Sequence, residues 1–211
     1  MKNEMLTIAV AKGYLLKESI QLLKKVGYFF NEEEINNSRK LYYFDTTNKI
    51  RLLNIRPWDD STYVEQGAAD LGIVGKDVLL ERDPEVLELV DLKFGKCDLV
   101  LAGLETKMPF KFYNNLSVAT KYPKSCDHYF KNIGIKANII KMYGAIELAP
   151  LTGISDLICD LTATGQTLKE NHLEIIETVF NSSARLISNY ISLKTHYENI
   201  SSITDKIKQQ I

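Results

Sequence analysis

The run Asp160-Leu161-Thr162-Ala163-Thr164-Gly165-Gln166-Thr167-Leu168 concentrates the chemistry of this chain. It follows the apolar Leu157-Ile158-Cys159, which predicts a strand, and precedes a predicted short helix. Turns at the C-terminal ends of strands are where open α/β sheets take ligands. Gly165 permits positive φ and close backbone approach, and the amides and Thr hydroxyls around it match the acceptor oxygens of a phosphate. The N-terminus of the following helix adds favourable partial charge. Asp160, at the strand end, is placed to accept hydrogen bonds from sugar hydroxyls. The same residues would serve equally as a plain helix cap, since Thr and Gly favour turns. The run is no Walker A loop, because no GKS or GKT follows its glycine.

A second set of residues is cationic. Lys12-Gly13 sits at the first predicted strand–helix junction, and Arg39, Arg51 and Arg56 fall on or beside the next strands. Guanidinium groups bind phosphate oxygens two at a time. Arg56, ahead of Pro57-Trp58-Asp59, stands at a strand end; the alternative for each cation is a solvated strand terminus, and for Arg51 that alternative leads. Asp70-Leu71-Gly72-Ile73-Val74-Gly75-Lys76-Asp77 reads as a buried strand turning into a helix. Tyr143 to Pro150 reads as a strand-to-helix turn with Glu147 in the first helical turn, where a carboxylate also suits the helix dipole. His128, His172 and His196 lack metal-ligand spacing, and Cys97, Cys126 and Cys159 are too few and too dispersed for a zinc site or a disulfide framework, so no protein metal cage is expected.

The elements that must position these groups follow from periodicity. Short apolar runs alternate with amphipathic segments, the pattern of an α/β protein. Leu6 to Ala9 predicts a first strand, and Leu15 to Val26 a helix closed by Gly27. Residues 41–44 and 50–55 flank a polar turn as a hairpin, Pro57 ends it, and Asp59, Asp60 and Ser61 cap a short helix. Further strands are predicted at 71–74, 99–102, 117–119, 138–141, 157–159 and 174–180, with helices around Lys76, Tyr129 and Leu148 and a closing helix over 193–211. Residues 105–115, with Pro109, are expected to form a mobile hairpin tip. The 211 residues carry 26 Lys plus Arg against 27 Asp plus Glu, a net charge of -1, so no bulk field exists for nucleic acid or an anionic membrane. No run approaches a membrane span and the N-terminus does not read as a signal peptide; the expectation is a cytoplasmic protein.

Collinear stretches carry a resemblance. LTIAVAKGYLL (6–16), SRKLYYF (38–44), RPWDDSTYVEQGAADLGIVGKDVLLE (56–81), LKFGKCDLVLAG (92–103), VATKYP (118–123), GAIELAPLTGISDLICDLTATGQTLKENHL (144–173) and SARLISN (183–189) resemble the ATP phosphoribosyltransferase of histidine biosynthesis in its short form. The resemblance implies transfer of phosphoribosyl from phosphoribosyl pyrophosphate (PRPP) to N1 of ATP, with Mg²⁺. It implies a type II periplasmic-binding-protein-like α/β fold, two lobes about a central cleft: residues 1–93 plus 181–211, and 94–180. It further implies a separate regulatory subunit similar to histidyl-tRNA synthetase, and self-association as a dimer.

Carried over by residue, the resemblance gives the PRPP 5′-phosphate to Thr162, Ala163, Thr164, Gly165, Gln166 and Thr167, and the ribose hydroxyls to Asp160, with Glu147 beside them. Arg56 and Lys12 become the lobe I cations of catalysis, and Gly13, Arg39 and Arg51 further candidates for ATP or phosphate. Mg²⁺ would be held mainly by substrate phosphates. The chain departs from the family at Tyr14, where an Arg is usual after Lys-Gly, and at Ala145, where a Ser is common. An inactive nucleotide-binding regulator of the same fold is the alternative reading.

Overall fold

The computed structural model describes residues 5–47, 49–104 and 115–211. Residues 105–114 of the predicted hairpin tip at 105–115, and Asn48 of the predicted turn, lie outside the described residues. The chain divides into two compact units: Met1–Leu79, Asp83–Gly95 and Ser183–Ile211 form unit 1, and Leu80–Arg82 with Lys96–Ser182 form unit 2.

Unit 1 opens with β1 (Leu6–Ala11), α1 (Tyr14–Lys25), α2 (Glu32–Asn37), β2 (Tyr42–Phe44), β3 (Ile50–Ile55), α3 (Asp60–Glu65), β4 (Leu71–Gly75), α4 (Lys76–Arg82) and β5 (Leu87–Asp91). β1 is buried along its whole length and pairs in parallel with both β3 and β4, as a continuous apolar run predicts. Its alternate residues serve two layers. Ile8 and Val10 face a core with Ile20 and Leu23 of α1, while Ala9 joins Val64 of α3 and Val78 and Leu79 of α4. Gly72 on β4 is required by this second layer: a Cβ there would lie 2.6 Å from Val64 Cγ2. Asp45, where the predicted hairpin turns, is buried and accepts from the Lys49 and Ile50 amides at 2.7 and 2.6 Å.

Unit 2 contains β6 (Cys97–Gly103), β7 (Ser117–Thr120), α5 (Pro123–Asn132), β8 (Asn138–Lys141), α6 (Leu148–Leu151), β9 (Leu157–Thr162), α7 (Gln166–Glu170) and β10 (Glu174–Ser182). The chain then returns to unit 1 as β11 (Ala184–Ser188), α8 (Tyr190–Thr195) and α9 (Tyr197–Lys208). The unit 1 sheet runs β2-β3-β1-β4-β11-β5 and the unit 2 sheet β10-β6-β9-β7-β8.

Three features differ from the sequence expectation. β5 and β11 pair with each other, and β11 also pairs with β4, all antiparallel; neither was predicted, because both depend on partners distant in sequence. The closing helix is two helices broken at His196, with Asn189 capping the first through its side chain. β9 continues to Thr162, since antiparallel β6 pairs it that far, so Asp160 lies within the strand, opposite Val100.

Candidate functional site

In unit 1 the parallel strands β1, β3 and β4 end at Ala11, Ile55 and Gly75, and each is followed at once by a cation: Lys12, Arg56 and Lys76. The Lys12 amide bonds the Ile55 carbonyl at 2.8 Å, which ties the first two ends together. Gly13 takes φ 91°, a conformation that strains any residue with a Cβ, and opens α1 with Tyr14 exposed beside it. Lys12 and Arg56 are exposed, whereas Lys76 is bound to Glu88. Arg39 precedes β2, and the Leu41 carbonyl accepts from the Asn54 amide at 2.8 Å. Arg39 itself lies ahead of the paired residues of β2 and is exposed.

Arg51 is not brought to this edge. It lies at the start of β3, opposite Thr7, and donates to the Thr7 hydroxyl through Nε at 3.2 Å and Nη2 at 3.0 Å. Five residues of strand separate it from Arg56, roughly 16 Å. Its side chain holds the opposite end of the sheet, where Asp70 also accepts from the Thr7 amide at 2.8 Å.

In unit 2 the parallel strands β7, β8 and β9 bring Lys121, Tyr143 to Glu147, and the 160–167 run to one C-terminal edge. Within that run the Thr162 hydroxyl accepts from the Gly165 amide at 2.8 Å, and the Thr164 hydroxyl accepts from the Gln166 amide at 3.4 Å. Gly165 has φ 72° and ψ 0°, so the turn closes left-handed. Ala163, Thr164, Gln166 and Thr167 are exposed. Among the described residues no hydrogen bond engages the amides of Ala163, Thr164 or Thr167, which leaves three donors on the rim of the turn. The helix α7 has five residues, so these amides rather than a helix dipole supply the partial charge. The Gln166 side chain is turned away, donating to Glu170 at 2.8 Å.

Asp160 is the electrostatic focus. Burial pushes its carboxyl up to about 6, the Leu161 amide at 2.9 Å opposes that shift, the Glu147 charge adds to it and Lys121 lowers it. Asp160 and Glu147, 13 positions apart in sequence, therefore share one field. Lys121 was missed as a site residue. Its only sequence signal is a cation directly after an apolar strand. The Thr120 hydroxyl donates to the Cys159 carbonyl at 2.5 Å and accepts from the Tyr122 amide at 2.9 Å, setting Lys121 next to the end of β9. Ala145 adopts φ 49° without being glycine, a strained turn two residues before Glu147. No set of three or more His, Cys, Asp or Glu side chains able to hold a metal occurs among the described residues.

Comparison with known proteins identifies the family and the fold. The family model described as HisG: ATP phosphoribosyltransferase matches residues 56–209. An ATP phosphoribosyltransferase from Citrifermentans bemidjiense is 46% identical over 211 residues, covering 99% of both chains. One from Clostridioides difficile is 48% identical over 198 residues, covering 94% of both. Among solved structures, the ATP phosphoribosyl transferase (HisG:HisZ) complex from Thermotoga maritima superposes with a TM-score of 0.82 at 33% identity, over 97% of this chain and 98% of that one. Tv2483 bound to L-arginine has a TM-score of 0.58 at 16% identity over 97% of this chain and 82% of its own, a likeness of fold alone. The fold is α/β and periplasmic-binding-protein-like.

Proposed function

The chain belongs to the ATP phosphoribosyltransferase family, and from that premise we propose how its own residues carry phosphoribosyl from PRPP to N1 of ATP with release of pyrophosphate. The observation that carries the assignment is the 160–167 turn, with three open amides and two Thr hydroxyls at the C-terminal edge of parallel strands. Thr162 to Thr167 take the 5′-phosphate, and Asp160 accepts from the ribose hydroxyls. Two accepted hydrogen bonds favour its charged form, so PRPP binding draws the carboxyl below its free value. Burial dominates that titration, and the charges of Glu147 and Lys121 adjust it in opposite directions.

Arg56 and Lys12 stabilise the negative charge of the departing pyrophosphate, with Arg39 as a further phosphate contact. Adenine N1 needs no deprotonation to attack, so the reaction requires no strong general base. Displacement at ribose C1 then rests on alignment, which supplies roughly 7–11 kcal/mol of barrier reduction in well-oriented systems. Loss of one charge-stabilising donor typically costs about 10²–10³ in kcat. Mg²⁺ would be held mainly by the substrate phosphates, near the carboxylates of Asp160 and Glu147 whose charges interact, and would offset leaving-group charge.

The likeness to the Thermotoga HisG:HisZ complex supports a separate partner subunit for this chain, which we read as regulatory and similar to histidyl-tRNA synthetase; self-association as a dimer and a cytoplasmic location belong to the same proposal. The test is product formation from ATP, PRPP, Mg²⁺ and pyrophosphatase, read by the absorbance of the N1-ribosylated adenine, with and without that subunit. Product in either condition supports the reading. ATP binding without product in both conditions would replace it with the regulatory module.

A further inference from the structure

Asp60 is an anomaly in unit 1. It opens the first turn of α3 with no exposed surface, and neither carboxyl oxygen has a hydrogen-bond partner. The neighbouring Ser61 hydroxyl is buried and unpartnered in the same way. Native cores satisfy nearly all buried polar groups, and an apolar side chain of similar volume would be the more stable occupant of this place. The surroundings are apolar. Asp60 Oδ1 lies 3.0 Å from where a Cβ on Gly72 would stand, a point that Val64 Cγ2 and Ile187 Cγ1 approach to 2.6 and 3.0 Å.

A carboxyl in such a seat favours its protonated form. Burial holds it well above the usual carboxylate range, and the backbone N–H of Ala11 opposes this shift without offsetting it. The charged residues on the elements packed around it are Asp59 and Glu65 at α3, Lys12 after β1, Arg56 after β3, Asp70 before β4, Asp77 on α4 and Arg185 on β11, and none offsets the burial. Ala11 is the last residue of β1, directly before Lys12. On the other side, the Asp59 amide donates to the Arg56 carbonyl at 3.0 Å, which links the start of α3 to Arg56.

We propose that Asp60 is a positioning residue whose uncharged form seats the first turn of α3 against the end of β1 and so holds Lys12 and Arg56 in place, and whose ionisation unseats that turn. The proposal rests on the reading of Lys12 and Arg56 as the cations of phosphoribosyl transfer. Ionisation favours the unfolded chain, which releases this proton first. Stability therefore falls as pH rises above the ordinary carboxylate range, by up to tenfold in the folding equilibrium constant per pH unit, until the folded carboxyl has ionised as well.

The experiment compares wild type, Asp60→Asn and Asp60→Val from about pH 5 to about pH 9, in thermal unfolding and in steady-state turnover below the onset of melting. The full chain is used with whichever assembly is active. All three proteins share Asp160, so differences between them isolate Asp60. Wild type should lose stability with rising pH relative to both variants, and its kcat/KM should fall relative to theirs only at the upper end of that interval, where the carboxyl of the folded protein itself ionises. Parallel stability curves would overturn the proposal. A stability difference with superimposable rate profiles would overturn the positioning role and leave a purely structural acid. If one variant fails to fold, the other and wild type still decide. Absence of turnover in all three would instead count against the transferase reading, with the unfolding curves still judging the seat.

Discussion

Asp160→Asn should stabilise this protein at neutral pH while impairing it as an enzyme. The free carboxyl is raised from 3.8 to about 6, chiefly by burial and further by the Glu147 charge. At about 1.4 kcal/mol per unit, a shift of about 2 units is a burden of about 3 kcal/mol on the folded state once the group is ionised. The sign follows from linkage. Between the unfolded and folded values the unfolded chain has already released the proton, so stability declines as pH rises from about 4 to about 6 and is level above. The Asn side chain carries no charge, and its carbonyl can still accept from the Leu161 amide. The gain at neutral pH should be about 2–3 kcal/mol, or roughly 4–12 °C in Tm for a chain of this size. Removal of a charged acceptor from the ribose hydroxyls should lower kcat/KM for PRPP about 10–100-fold. Wild-type kcat/KM for PRPP should climb through about pH 6 as the carboxylate forms, and the variant should lack that climb. The assay is thermal unfolding of both proteins across pH, with PRPP kinetics alongside. A Tm difference that persists unchanged near pH 4, or is missing at neutral pH, would refute the electrostatic argument and leave only repacking.

The two arginines of β3 and its end should separate cleanly. Arg56→Ala is expected to leave unfolding within about 0.5 kcal/mol of wild type, since the side chain is exposed, and to cost about 10²–10³ in kcat. Arg51→Ala should do the reverse, with near-normal turnover and about 1 kcal/mol lost in chemical denaturation, because its partner is Thr7. Gly165→Ala places a Cβ at φ 72°, which should cost about 1–2 kcal/mol and raise KM for PRPP by distorting the phosphate turn. Gly72→Ala forces a Cβ to within 2.6 Å of Val64 Cγ2; a drop of about 1–3 kcal/mol in unfolding free energy, measured in urea, is the expected result.

What the chain itself determined is what short-range chemistry can encode. The Leu157-Ile158-Cys159 run followed by Thr, Gly and Thr specifies a buried strand and a tight turn rich in donors, because apolar side chains seek the core and Gly165 alone there tolerates positive φ. Lys12-Gly13 after β1 is legible for the same reason. Tertiary structure decided everything that depends on which strand lies beside which. It sent Arg51 to one end of the sheet and Arg56 to the other, although both are cations of a single predicted strand and its end. It extended β9 past Asp160 by pairing it with β6, and brought Glu147 and Lys121 into the field of that carboxyl. It also buried Asp60, whose type and spacing predict only an exposed helix cap. A residue's own preferences say whether it turns or extends, but its charge, exposure and partners are set by neighbours that pairing and packing bring from far along the chain.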